Sequence, residues 1–284
     1  MRLRAKDFVS HRINWEPKSQ NIHALSKELN LGLSSFCFID DNPVERAEVR
    51  RNAPEVFCSR ATGRSSAEWY QYLCNLPELC VAQVSDSDKR RSELYKQRVD
   101  IQNAQTEFVD RASFIKSLGM EVCVEELNSD NFDRTYQLFN KTNQFNTTTT
   151  RYSKEQLSEW MKASDYQVLH VRSKDKYSKE YEGVAALVIV KQDRHWVIDN
   201  FVMSCRVMGR DIEHAILSKL ILLASESSQD SVVGRFIASS KNMPVRELYK
   251  NNHFVLHDNE QWVFEFAQQS LPSESNLMTL NWKA

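Results

Sequence analysis

The chain has 284 residues, of which 41% are hydrophobic and 26% charged, and its formal net charge is −1. That balance is ordinary for a globular protein of one or two domains, and it lacks the basic footprint that nucleic acid or an anionic membrane surface would select. The apolar runs 184–190 and 220–224 are too short to span a bilayer, the N-terminus lacks the apolar centre of a signal peptide, and the cysteines at 37, 58, 74, 80, 123 and 205 show neither C-x-x-C nor histidine pairing at zinc spacing, so reduced thiols and a cytoplasmic location are expected.

Residues 1–60 have the grammar of an α/β unit. Ile22, Leu25 and Leu29 recur at helical spacing, Gly32 is a stop signal, and the apolar run 36–39 reads as a buried parallel strand. The strand runs into Asp40, Asp41, Asn42 and Pro43, after which a second helix begins. Carboxylates at the carboxyl end of a parallel strand lie where open α/β sheets bind ligands, and an adjacent pair suits Mg²⁺. Helix capping by Asp41 or Asn42 explains the same residues without a metal. Lys18 precedes the helix that leads into this strand, so one αβ unit carries it to the edge that holds Asp40. Lysine and a metal-bound acid pair form the clamp that a transferring phosphoryl group needs.

The run 13–22 followed by 29–50 resembles the haloacid dehalogenase superfamily of phosphohydrolases and, more narrowly, the FkbH-like proteins of polyketide pathways. The resemblance implies that Lys18 steadies a phosphoryl group and that Asp40 and Asp41 hold Mg²⁺. The nucleophile segment D-x-D-x-T/S of that superfamily has no counterpart upstream of Lys18, and D-S-D-K at 86–89 lies on the wrong side of the acid pair. The expectation is the second half of such a domain, a partial Rossmann-like sheet unable to hydrolyse phosphate esters. A fragment, a split enzyme or a degenerate copy would each look like this, and the missing strands predict an exposed edge or a partner chain that supplies them.

Residues 61–117 read as a connector, with a loop at 61–66, a short helix at 69–74 and a charged helix from Asp86 onward. A second, mixed α/β domain is expected over 118–268, with a tail over 269–284. It opens on an alternating strand at 120–127 and the helix 132–142. The polar stretch 140–152 follows, where Asn143, Gln144 and Asn146 are candidate ligand-facing amides, although turns and caps use the same residues. After a helix at 154–161 come three extended runs, 167–173, 183–191 and 195–203, predicted to form an antiparallel meander. They lead into a tight loop built on Arg206 and Gly209 and a helix over 210–224. A strand feeding a glycine-containing loop and a helix start is a ready anion site. It holds one thiol, Cys205, beside Arg206, Gly209 and Arg210, where cations can favour the thiolate; a buried, space-filling cysteine is the plain alternative. His195 and His214 are the histidines nearest in sequence and are candidate bases, against the structural role that a lone histidine more often has.

The order strands, loop, helix, strand, helix, strand resembles the Gcn5-related N-acetyltransferase (GNAT) fold. Its R/Q-x-x-G-x-G/A loop after the fourth strand corresponds here to Arg206–Asp211, with Asp211 in place of the final small residue. That departure favours the phosphopantetheine arm of a carrier over free coenzyme A. The segment 242–254 resembles the later acetyltransferase helix, which implies that Asn242 and Tyr249 approach the acyl-bearing thiol. The FkbH-like resemblance covers this domain as well, on K-T-N-Q-F-N, S-C-R-V-M-G-R-D-I-E and S-K-N-M-P-V. It implies transfer of a glyceryl group from 1,3-bisphosphoglycerate to Cys205 and on to an acyl carrier protein. Two other readings compete: an acyl-coenzyme A acetyltransferase in which Cys205 is merely packed and Glu182 or another acid is the base, and an inactive module that docks a carrier protein.

Overall fold

The computed structural model describes residues 4, 7–29, 31–59, 65–80, 108–178, 180–258 and 260–284. The loop 61–64, the segment 86–89 and the charged run from Asp86 lie outside these residues. The chain divides into two compact units, Met1–Glu107 and Phe108–Ala284.

In the first unit, α1 (Lys18–Leu29) and α2 (Pro43–Asn52) accompany two short parallel strands, β1 (Cys37–Phe38) and β2 (Phe57–Cys58). Pro43 opens α2 at a position whose N–H is not needed, and Asn42 caps it by accepting the Val44 N–H at 2.9 Å. Ile22, Val49, Ala53 and Val56 form a small core against Leu33, Phe36 and Phe38. Among the described residues the sheet of this unit has two strands, and nothing of a dehalogenase-like sheet extends beyond them. A third helix, α3 (Ser66–Cys74), starts at a capping box between Ser65 and Glu68.

The second unit is built on an eight-stranded sheet. Its elements in order are α4 (Arg111–Ser117), β3 (Glu121–Glu126), α5 (Phe132–Lys141), α6 (Lys154–Trp160), β4 (Tyr166–Lys174), β5 (Glu182–Lys191), β6 (His195–Met203), α7 (Ile212–Glu226), β7 (Ser231–Arg235), α8 (Leu248–Asn251), β8 (Val255–Leu256), β9 (Gln261–Glu265) and β10 (Thr279–Trp282). The strand order is β10-β3-β4-β5-β6-β7-β9-β8. The expected meander is β4, β5 and β6, paired antiparallel. Val184 to Ile189 of β5 are all buried, as a central strand covered on both faces requires. Around them pack Leu138 and Phe139 of α5, Leu157 of α6, and Tyr152 against Trp160 with ring centroids 5.0 Å apart.

Two boundaries differ from the expectation. The unit starts ahead of Leu118, because Asp110 caps α4 by accepting the Ser113 N–H and Phe114 and Ile115 are buried. The segment read as a tail contributes β10, which pairs in parallel with β3. Thr279 to Trp282 alternate in burial, a period-2 signal only four residues long that is easily passed over.

β6 and β7 are parallel neighbours joined through α7, and β6 is the fourth strand of the unit. Their pairing runs from His195↔Ser231 to Ile198↔Gly234 and stops there, although β6 continues to Met203. Beyond that point the chain's own segment 145–147 lies along β6. The Thr147 N–H donates to the Phe201 carbonyl at 3.1 Å and the Met203 N–H to the Phe145 carbonyl at 3.0 Å. On its other side the Thr147 carbonyl accepts the Ile237 N–H at 2.9 Å. No described helix is long and apolar enough to cross a membrane.

Candidate functional site

The carboxyl end of β6 delivers the chain into the expected loop. The Ser204 N–H is held by the Val184 carbonyl at 2.7 Å, and a single 3₁₀ turn spans Cys205–Val207. Gly209 then adopts φ +80° and Asp211 φ +61° before α7 begins. A left-handed Gly209 is inexpensive because it has no Cβ, and no heavy atom lies within 4 Å of where a Cβ would stand. Asp211 occupies the N-cap position without capping through its side chain. Its carboxylate is taken instead by Arg111, which also reaches the Gly209 carbonyl at 3.4 Å. The leading N–H groups of α7 are therefore not closed off by the residue that normally does so, and the end of a fifteen-residue helix carries about half a positive charge.

Cys205 is half-buried at the first position of the turn. Its two arginine neighbours are committed to carboxylates. Arg206 donates to Glu182 at 2.9 Å and to the Ser204 hydroxyl at 3.3 Å, while Arg210 is paired with Asp175, whose side chain is only 3% exposed. The expectation that these cations serve the thiol is corrected on that geometry: each already has a counter-ion. Glu182, the acid weighed as base, is held by Arg206 in the same bond. Asp175 also accepts the N–H groups of Tyr177 and Ser178 at 2.8 and 2.9 Å, so it ties the β4–β5 turn to the loop.

The two histidines fall at different places. His195 is the first residue of β6, and nine extended residues put it roughly 26 Å from the far end of that strand. It lines an open cleft of about 830 Å³ with Arg194, Asp230, Glu265 and Phe266, and it is too distant to act on Cys205. His214 does belong to the loop region, in the first turn of α7, with Nδ1 bonded to Asn252 at 3.1 Å.

The residues carried over from the polar stretch and the later helix divide into an exposed pair and three buried side chains. Asn143 is exposed and bonded to Arg151, and Gln144 is exposed beside it. Asn146 is fully buried and closes its own loop, accepting the Thr149 N–H at 2.8 Å and donating to the Thr142 carbonyl at 3.2 Å. Asn242 is also fully buried; it accepts the Ser239 N–H at 2.7 Å and donates to the Asn146 and Ile237 carbonyls at 2.8 and 2.9 Å. With every polar atom bonded within the chain, these asparagines clip the 145–147 segment to the region after β7. Tyr249 is 1% exposed and packed against Gly234 and, at a tilt, Phe254, and its phenol is pushed up chiefly by burial.

In the first unit, Lys18 is the first residue of α1 and is half-buried. Asp40 Oδ1 accepts the Asn42 N–H at 2.7 Å, and the buried Arg46 donates to the carbonyls of Asp40 and Asp41 at 2.7 and 2.8 Å. A guanidinium against both carbonyls and an Asx turn using one carboxylate do not fit a Mg²⁺ site, so no chemistry is routed through that ion.

Several residues that shape the loop region carry no local sequence signal. Arg134 of α5 donates twice to the Gly183 carbonyl, at 3.0 and 2.8 Å. His170 of β4 is 2% exposed, bonded through Nδ1 to the Thr135 hydroxyl at 2.9 Å, and pushed down to about 4 by burial and then by the Arg134 charge. Because that hydroxyl gives its hydrogen to the Asn131 carbonyl at 2.9 Å, His170 Nδ1 is the donor of the pair.

No family model matches the chain, and no curated protein matches it. Solved structures with a similar chain path include the GNAT domain of S. lividans PAT, 11% identical, covering 50% of this chain and 89% of that one at a TM-score of 0.40. A GNAT-family acetyltransferase of Staphylococcus aureus is 13% identical, covering 51% and 98% at 0.40. Spermidine N-acetyltransferase of Vibrio cholerae, solved with CoA and spermine, is 10% identical, covering 52% and 96% at 0.41. Each is a likeness of chain path over about half of this chain, and identities and TM-scores this low say nothing about its chemistry.

Proposed function

We propose that the second unit transfers an acyl group from a phosphopantetheine thioester, with coenzyme A as the first carrier to test, and that the 204–211 loop takes the carrier's phosphate. The observation that carries this reading is the junction of β6 with α7. A left-handed Gly209 with open space beside it precedes a helix start whose N-cap side chain is diverted, and anions bind where free backbone N–H groups meet a helix dipole. Arg111 neutralises Asp211, which removes the objection that an acid in this loop repels phosphate. In the simplest reaction an acceptor's lone pair attacks the thioester carbonyl and the carrier's thiol leaves with a proton.

The test is calorimetric titration of the full chain with acetyl-coenzyme A and with acetyl-pantetheine, which lacks the phosphates. At least tenfold tighter binding of the phosphorylated thioester is expected, lost in Gly209→Val. Equal affinities, or a Gly209→Val protein that binds as before, would refute the reading.

A covalent route is the second reading, favoured by the place of Cys205 at the start of the loop's turn. There the thiolate would attack an acyl donor, 1,3-bisphosphoglycerate on the glyceryl reading, expel phosphate and pass the thioester to an acyl carrier protein. Intact-protein mass after incubation with that donor should show a hydroxylamine-sensitive gain in the wild type and none in Cys205→Ser. No gain in either protein removes the covalent route.

A further inference from the structure

The first turn of α7, beside the loop proposed to take phosphate, also holds a cluster of metal-ligating groups. Asp211, Glu213 and His214 each present one donor atom, and the three atoms lie within 4.8 Å of one another. Donors about 2.0–2.2 Å from one metal ion stand no more than roughly 4.4 Å apart even at opposite vertices, so small side-chain adjustments would complete a shared site. Proximity of acids alone is commonplace; Glu213 is not. The residue is 8% exposed, and Oε2 has no hydrogen-bond partner. Buried carboxylate oxygens are nearly always satisfied, because an unmet one forfeits its hydration without replacement.

The other two donors are arranged in keeping with this. Asn252 Nδ2 donates to the Leu248 carbonyl at 2.7 Å, which leaves Oδ1 facing His214 Nδ1. Nδ1 must then carry the proton, and Nε2 keeps the lone pair that a metal uses; metal-bound histidines are usually steadied by such an outer contact. Arg111 takes only Oδ1 of Asp211, and at 56% side-chain exposure it is the partner that can withdraw into water. Its departure would leave two carboxylates against a half-charge at the helix end, an arrangement that a doubly charged cation offsets.

We propose that Asp211, Glu213 and His214 Nε2 bind one divalent transition-metal ion of the Zn²⁺, Co²⁺ or Mn²⁺ kind, with a further position open to water or an anion. Two oxygens and an imidazole suit these ions better than Mg²⁺ or Ca²⁺, and the lack of a thiol disfavours Cu(I). The site goes beyond the acyl-transfer reading: it needs Arg111 released from Asp211, where the phosphate reading keeps the two paired, so metal titration without an acyl carrier tests it by itself.

The test is titration of the full chain with Co²⁺, followed by visible absorption, and with Mn²⁺, followed by electron paramagnetic resonance. One equivalent should bind, with cobalt ligand-field bands and no thiolate charge-transfer band. Glu213→Gln should weaken binding at least tenfold, and Arg111→Gln, which removes the competitor for Asp211, should tighten it. If Glu213→Gln does not fold, His214→Gln serves the same comparison. Failure of folded wild type to bind either ion, a charge-transfer band that disappears in Cys205→Ser, or unchanged binding in these variants would overturn the proposal.

Discussion

Gly234 is the most closely approached glycine of the second unit, and Gly234→Ala should be costly out of proportion to one methyl group. An ideal Cβ there would stand 2.6 Å from Tyr249 Cδ1 and closer still to Cε1 and Cζ. Non-bonded carbons settle at about 3.5–4.0 Å, so the ring must retreat by roughly an ångström or more. It has nowhere to go: Tyr249 is 1% exposed, Phe254 lies 5.2 Å away by ring centroid, and Phe264 stands behind Phe254 at 5.6 Å. Overpacking of this kind costs about 1–3 kcal/mol, and an immobile aromatic neighbour places this site at the upper end, about 3 kcal/mol. The assay is urea unfolding followed by tryptophan fluorescence in a double-mutant cycle with Tyr249→Ala. Tyr249→Ala alone should cost about 3–5 kcal/mol by opening a cavity, and in that background Gly234→Ala should cost almost nothing. Additive effects, or a Gly234→Ala protein within about 0.5 kcal/mol of wild type, would show that the strand and ring do not meet as described.

The buried Arg210–Asp175 pair predicts that Asp175→Asn loses about 3 kcal/mol, the low end for a broken buried ion pair because the amide still accepts from the Tyr177 and Ser178 turn. Differential scanning calorimetry should show a fall of roughly 6–12 °C, and a shift under 2 °C would mean the pair is idle. His170 makes stability pH-dependent. Its native pKa is lowered to about 4 from an ordinary 6.5, so the unfolded chain binds the proton first; the contribution is complete above pH 6.5 and is lost as pH falls toward 4. The full effect is roughly 3 kcal/mol, and His170→Gln should flatten the stability–pH curve across that window; an unchanged slope would contradict the burial described.

The strand at 195–203, the loop and the helix after it were legible because each rests on local signals: an apolar extended run, a glycine, then helical spacing; the helix was expected from Arg210 and begins at Ile212, because Asp211 takes a left-handed conformation. Helix capping at Asn42 was legible for the same reason, since a cap needs only the residues next to it. The polar stretch 140–152 was left between a ligand-facing loop and ordinary turns because composition reports how many hydrogen bonds a segment can make, not who makes them. Its partners, Phe201, Ile237 and Asn242, are remote in sequence. Cys205 shows the same limit. Arg206 and Arg210 sit beside it along the chain, yet their charges belong to Glu182 and Asp175, which only the pairing of β4 with β5 brings near. The Asp211, Glu213 and His214 cluster was half visible as a histidine near a helix start; burial of Glu213 was not.

The parallel pairing of β10 with β3 sets an order on assembly. β3 is the first strand of its sheet to be synthesised, yet its outer edge is answered by Thr279–Trp282, the last of that sheet's described strands in chain order. Until then Val122 and Val124 belong to an open ladder that any extended chain could join. A nascent or clipped chain ending before Thr279 would hold nearly all of its core and still carry a reactive border. Loss of Thr279–Trp282 should therefore be met first as clumping rather than as unfolding.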